Sequence, residues 1–218
     1  MKKILIITDS IGNPRIFPED EKVSLEETYP YIIKKVENNA QFYQLSYAGV
    51  YTGDLINQAR AYLMDWEPEV IIVGSGINDS RPKSLSTELK NNLIVSKFKV
   101  IKKFLEIIQK FIFLKNSTKS SVEKKVFKKN IDVLKKTFPN SKIYWLEISC
   151  HPNYEKSRPG VVSLKDKYNK LLGDLLGENL IKIDQILNDK NLFNEDCLHM
   201  NKLGHKLVAE KILDKIKN

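Results

Sequence analysis

Five short apolar runs, most of them rich in β-branched residues, recur along the chain, with helical patterns between them. They fall at residues 4–7, 42–45, 70–73, 143–148 and 180–183. Runs of this length and composition read as strands buried on both faces. Between them, apolar residues recur at helical spacing. Leu55, Ala59, Tyr62 and Leu63 share one face of 54–64, and Leu164, Tyr168, Leu171, Leu172 and Leu175 share one after Ser163. Leu203, Leu207, Val208, Ile212 and Ile216 do the same in 202–216. Ser24 followed by Glu27 is a capping box that predicts a helix running through Val36. Strand–helix alternation requires crossover connections, which build a mainly parallel sheet covered on both sides. The expected fold is α/β, a three-layer α/β/α sandwich of about five parallel strands in flavodoxin-like order.

At 218 residues the chain is read as one domain, 1–218. A hydrophobic share of 42% is too high for a disordered chain. The apolar run between Lys3 and Asp9 is too short for a signal peptide. The window from Phe98 to Leu114 is interrupted by Lys99, Lys102, Lys103, Glu106 and Lys110, so it predicts no membrane span. Cys150 and Cys197 form no disulfide framework, and the expected setting is a reduced cytoplasm.

Residues 84–138 are longer than one crossover helix needs and read as a lysine-rich helical insertion. "KNSTKSSVEKK" is the predicted turn within it. From Lys97 to Lys142, fourteen lysines against Glu106, Glu123 and Asp132 give a local charge of +11. The total is +9, so the remainder carries −2. Phe98, Ile101, Leu105, Ile108 and Ile112 are spaced for one helical face. Two readings stand for this stretch: a helical hairpin packed on the domain, or a surface resting on anionic membrane or acidic glycan. Only four of the 36 basic residues are arginine, which speaks against a nucleic-acid partner.

Sheets of this kind place their sites at the carboxyl ends of the strands. Ser10 follows the first run within "TDSIGNPR", "SYAGVYTGDL" follows the second, and "GSGINDS" follows the third. "NEDCLHMNKLGH" puts Asp196 three residues before His199, ahead of the last helix. Each segment alone has a plain structural reading as a cap or a loop. Together they set a hydroxyl, an imidazole and a carboxylate on one rim. A serine hydroxyl needs an adjacent base, and an acid beside the base fixes its tautomer. A metal site of Asp196, His199 and His205 is disfavoured, since there is no His-x-x-x-His pair and no cysteine cluster. No cofactor is expected.

In these blocks, taken in order, the chain resembles the SGNH (GDSL) hydrolase superfamily: Asp9-Ser10, a glycine block, Gly76-Ile77-Asn78-Asp79, and Asp196-Cys197-Leu198-His199. It is most similar to stand-alone members encoded with bacterial surface-polysaccharide genes, through "DSIGNPR", "EETYPY" and "GINDSRP". The resemblance implies Ser10 as nucleophile, His199 as base and Asp196 as orienting acid. The implied oxyanion donors are the N–H groups of Ser10 and Gly53 with the Asn78 amide. Thr52 and Gly49 are the other candidates for the middle donor. Thr8 stands where the superfamily has a glycine. Asp9, Arg15, Arg81 and His151 are candidate substrate contacts, the two arginines as a clamp for a carboxylate or phosphate. The implied activity is a serine esterase that removes a small acyl group, acetyl by expectation, from a sugar or surface-polysaccharide precursor. An O-acyltransferase using an acyl donor and a non-catalytic glycan-binding protein are the alternatives. The site of action is expected in the cytoplasm or at the inner face of the membrane.

Overall fold

The computed structural model describes residues 1–83, 108, 111 and 115–217. Strands β1 (Lys3–Thr8), β2 (Gln41–Ser46), β3 (Val70–Gly74), β4 (Lys142–Leu146) and β5 (Leu180–Ile181) form one sheet in the order β2-β1-β3-β4-β5. Every pair is parallel, and β1 carries its register from Lys3 opposite Gln41 to Thr8 opposite Ser46. The expected α/β sandwich is therefore observed.

Alternate side chains of the inner strands feed two cores. Leu5, Ile7, Ile71, Val73, Ile143 and Trp145 face one side. There they meet α2 (Thr52–Leu63), α4 (Lys124–Thr137) and α5 (Val161–Leu176). Ile4, Ile6, Val70, Ile72, Tyr144 and Leu146 face the other, against α1 (Tyr29–Val36) and α6 (Lys202–Lys217). Burying each such side chain is worth about 1.5–3 kcal/mol, so the strand pattern alone commits the chain to two helical layers.

Between β3 and β4, the short α3 (Ile77–Ser80) leads away from the sheet and α4 leads back. Counted by sequence within the lysine-rich stretch, α4 is a core helix. Phe127, Ile131 and Leu134 are fully buried while Lys124, Lys125, Lys128 and Lys129 point outward. The segment 116–121 forms the predicted turn, and Ser120 pairs with Pro82. The expected hairpin containing Phe98, Ile101, Leu105 and Ile112 lies outside the described residues.

Two element boundaries differ from expectation for local reasons. The Ser24 box opens a 3₁₀ turn, Leu25–Glu27, with the Ser24 N–H donating to the Glu27 carboxylate at 2.8 Å. The helix proper begins only at Tyr29, with Pro30 in its first turn. β5 stops at Ile181 because the Glu147 carboxylate accepts the N–H groups of Ile183 and Asp184, both at 3.1 Å, in place of a ladder. Thr8 keeps ordinary strand geometry: its hydroxyl donates to the Gly74 carbonyl (3.0 Å) and accepts from the Tyr29 hydroxyl (2.8 Å). Strand order reverses between β1 and β3, which opens a crevice at their carboxyl ends, and the segments after both strands enter it.

Candidate active site

Ser10 begins a 3₁₀ turn, Ser10–Gly12, directly after β1. Asp9 caps it, Oδ1 accepting the Ile11 N–H at 3.0 Å, while the Asp9 N–H donates to the Gly74 carbonyl. This bends the chain out of the sheet at the serine. Asp9, expected as a substrate contact, is fully buried, and its side chain shapes the turn. Burial pushes its carboxyl up to about 7 against the opposing Ile11 bond, with the Asp79 charge adding to the rise.

Asp196 and His199 share a closed loop. Phe193 pairs with Met200, and the Asn194 N–H donates to the His199 carbonyl at 2.9 Å. Cys197 holds φ +60°, a left-handed conformation that costs about 1–2 kcal/mol in a non-glycine residue. The turn lets Asp196 Oδ1 accept the Leu198 and His199 N–H groups at 3.0 and 2.9 Å. Oδ2 then lies 2.6 Å from His199 Nδ1, and His199 Nε2 lies 3.1 Å from Ser10 Oγ. The three expected residues form one continuous chain. Partial burial opposes the charge of Asp196, yet the His199 ring and these two N–H groups hold its carboxyl well below the usual carboxylate range.

On the other side of Ser10 stands the loop after β2. Gly49 sits there at φ +75° with open space around its Cα, a conformation that glycine adopts without strain. Asn78 Nδ2 donates one hydrogen to the carbonyl of Val50 at 3.1 Å, tying α3 to this loop and leaving its second hydrogen available. Gly53 lies within the first turn of α2, where a Cβ would come within 2.8 Å of Asn130 on α4. Close helix packing accounts for that glycine. Thr52 is engaged too, its N–H and hydroxyl donating to Asp79 Oδ2 at 3.0 and 2.8 Å.

The remaining candidates separate. Arg15 joins the triad, with Nη1 2.7 Å from Asp196 Oδ2, and Glu21 is its second carboxylate partner at 3.5 Å. A cavity of about 140 Å³ at Ser10 is lined by Asn13, Arg15, Ala48, His199 and His205, and Arg81 is not among its walls. Of the two arginines expected as a clamp, Arg15 alone lines this cavity. The Arg81 carbonyl instead accepts from Ser121. His151 caps the turn Pro152–Lys156, and its N–H donates to the Cys197 carbonyl at 3.0 Å, supporting the loop of Asp196 and His199 from β4. His205, expected at the surface or in packing, is buried against Tyr29, and burial lowers its ring to about 4. Glu21 was not anticipated, because nothing in the acidic run around it signals a partner near Asp196. Among the described residues no cluster could hold a metal ion, both cysteines are free thiols, and no helix is long and apolar enough to cross a membrane.

No family model and no curated protein sequence matches the chain. Solved structures do. A lipase/acylhydrolase from Enterococcus faecalis superposes with a TM-score of 0.68 at 16% identity, covering 100% of this chain and 96% of that one. The psychrotrophic esterase EstA from Pseudoalteromonas sp., in a structure inhibited by monoethylphosphonate, gives 0.63 at 18%, covering 100% and 97%. An acetylxylan esterase from Geobacillus stearothermophilus gives 0.60 at 16%, covering 99% and 94%. Further neighbours carry the descriptions lipolytic protein of G-D-S-L family and GDSL-like lipase. The fold is the one these esterases and lipases share, over nearly their whole length, and the SGNH resemblance is supported at that level.

Proposed function

We propose that the protein is a serine esterase that removes a short acyl group, acetyl in the simplest case, from a sugar or surface-polysaccharide precursor. The observation that carries this reading is the chain Ser10 Oγ, His199 Nε2, His199 Nδ1, Asp196 Oδ2, with contacts of 3.1 and 2.6 Å. Ser10 Oγ attacks the ester carbonyl as its proton passes to Nε2. Asp196 stabilises the imidazolium through Nδ1–H. The N–H groups of Ser10 and Gly53, with Gly49 the other glycine candidate, and the remaining N–H of the Asn78 amide face the oxyanion, each worth about 3 kcal/mol in the transition state. Collapse breaks the bond to the alcohol, which leaves with the proton from His199. Water, activated by the same imidazole, then releases the acid from Ser10.

The cavity at Ser10 supports a short acyl group. Its volume is about 140 Å³, and a protein cavity of about 150 Å³ holds benzene, so a short acyl chain fits. A sugar is supported by a second groove of about 550 Å³ beside the loop of Asp196 and His199, lined by polar residues such as Asp20, Lys22, Asn191, Asn194 and Lys202 and by apolar Phe193 and Leu203. That size is within the roughly 300–1,000 Å³ of small-molecule sites. Mixed charge and amide groups suit hydroxyls better than an acyl tail. Mass spectrometry of acetylated oligosaccharides incubated with the protein tests the reading. Loss of acetyl that stops in Ser10→Ala is expected. Gain of acetyl on unacetylated fragments, given an acyl donor, would make the protein an acyltransferase instead.

A further inference from the structure

Arg15 Nη1 lies 2.7 Å from Asp196 Oδ2 and 2.8 Å from His199 Nδ1. A guanidinium only donates. In the tautomer whose Nε2 can accept from Ser10, Nδ1 also donates. Asp196 Oδ2 therefore receives two donors, and a fixed cation touches the ring that must become cationic in the reaction. Orientation of Asp196 does not require Arg15, because Oδ1 is already held by the N–H groups of Leu198 and His199. What Arg15 adds is charge.

The strap formed by residues 13–23 keeps that charge in place. Arg15 exchanges two 2.8 Å backbone hydrogen bonds with Val23, and its Nε donates to the Phe17 carbonyl at 3.1 Å. Glu21 pairs with the guanidinium and also accepts the Glu195 N–H, which fastens the strap to the loop carrying Asp196.

We propose that Arg15, buttressed by Glu21, is a positioning residue that disfavours the His199 imidazolium and so keeps the base neutral, and the site active, at lower pH. The proposal rests on the serine-esterase reading. The charged and titratable groups around His199 are Asp196 on its own loop, Arg15 and through it Glu21 on the strap, Asp9 behind Ser10, and His205 on α6. Among them, Arg15 brings a permanent positive charge directly to Nδ1. Such a charge lowers the pH at which the ring gives up its proton, so its removal raises that pH. Removing the negative charge of Glu21 unmasks Arg15 and acts in the opposite direction.

The test is kcat/KM against pH for 4-nitrophenyl acetate, a neutral ester, in wild type, Arg15→Gln, Arg15→Lys and Glu21→Gln. The acid limb should move up by about one pH unit in Arg15→Gln, a shift moderated by partial exposure of the pair. It should return close to wild type in Arg15→Lys and move down in Glu21→Gln. Glutamine at position 21 keeps an acceptor for the Glu195 N–H. The same midpoints should appear in the proton NMR titration of the His199 ring, which reads them even in a variant with little activity. Coincident limbs, or movement of Arg15→Gln and Glu21→Gln in the same direction, would overturn the proposal. Fluorophosphonate labelling of wild-type Ser10 runs alongside. Absent label overturns the esterase reading itself, whereas label with coincident limbs overturns only the role of Arg15.

Discussion

Three aspartates lie around the carboxyl ends of the strands, and their surroundings drive them in opposite directions. Asp196, partly exposed, is held well below the usual carboxylate range by the His199 ring and two N–H groups, which outweigh its desolvation. Asp9 and Asp79, both fully buried, are raised by that burial to about 7 and about 6. Each of the buried pair has one oxygen with no hydrogen-bond partner among the described residues, Asp9 Oδ2 and Asp79 Oδ1. In the proposed mechanism, charge is kept where a proton must be steered. Behind it, carboxyl groups hold backbone: Asp9 caps the Ser10 turn, and Asp79 anchors Thr52 at the start of α2. One residue type thus serves chemistry in one place and geometry in the other, and burial decides which.

The largest expected effect separates the two roles. Asp196→Asn should lower kcat by roughly two to four orders of magnitude, because an amide no longer fixes the catalytic tautomer. Asp9→Asn keeps an acceptor for the Ile11 N–H and should cost less than tenfold. Ester kinetics on both variants check this, and equal losses would break the comparison.

Next comes the donor side of the site. Asn78→Ala should lower kcat by about two to three orders of magnitude with KM nearly unchanged, as expected for a group that binds the oxyanion alone. A change confined to KM would make Asn78 a substrate-positioning residue.

The smallest effect is on stability. Asp9 rises from its ordinary 3.8 to about 7, so the folded protein binds this proton more tightly, and its contribution falls as pH rises between about 4 and 7. His205 drops from 6.5 to about 4, so its contribution is full above 6.5 and is lost as pH falls toward 4. The two oppose each other at about 1.4 kcal/mol per pH unit each. Asp79, raised to about 6, falls in the same sense as Asp9, so urea unfolding from pH 4 to 6 should show stability nearly level with pH in Asp9→Asn and falling steeply with pH in His205→Gln. Parallel slopes would show that the two groups are not set by burial in opposite directions.

Much of this arrangement was legible in the sequence because its signals are local. β-branched runs buried on both faces announce β1 and β3, and Asp196 with His199 fits within one short loop. The rest depends on contacts that no window contains. A glycine does not reveal whether it serves a positive φ, as Gly49 does, or a close approach, as Gly53 does against Asn130. The density of lysine around α4 hid the spacing of Phe127, Ile131 and Leu134, which sets that helix in the core. Arg15 and Asp196 are 181 positions apart, and the strap that joins them follows no motif.

Central to the account is that Ser10 is activated by His199 and Asp196 as one unit. The most direct measurement is labelling by a serine-directed fluorophosphonate, with the modified residue identified by peptide mass spectrometry. Wild type should be labelled at Ser10, His199→Ala should label at least a hundredfold more slowly in line with loss of a general base, and Ser10→Ala should not be labelled. Full labelling of Ser10→Ala at another residue, or an unchanged rate in His199→Ala, would contradict it.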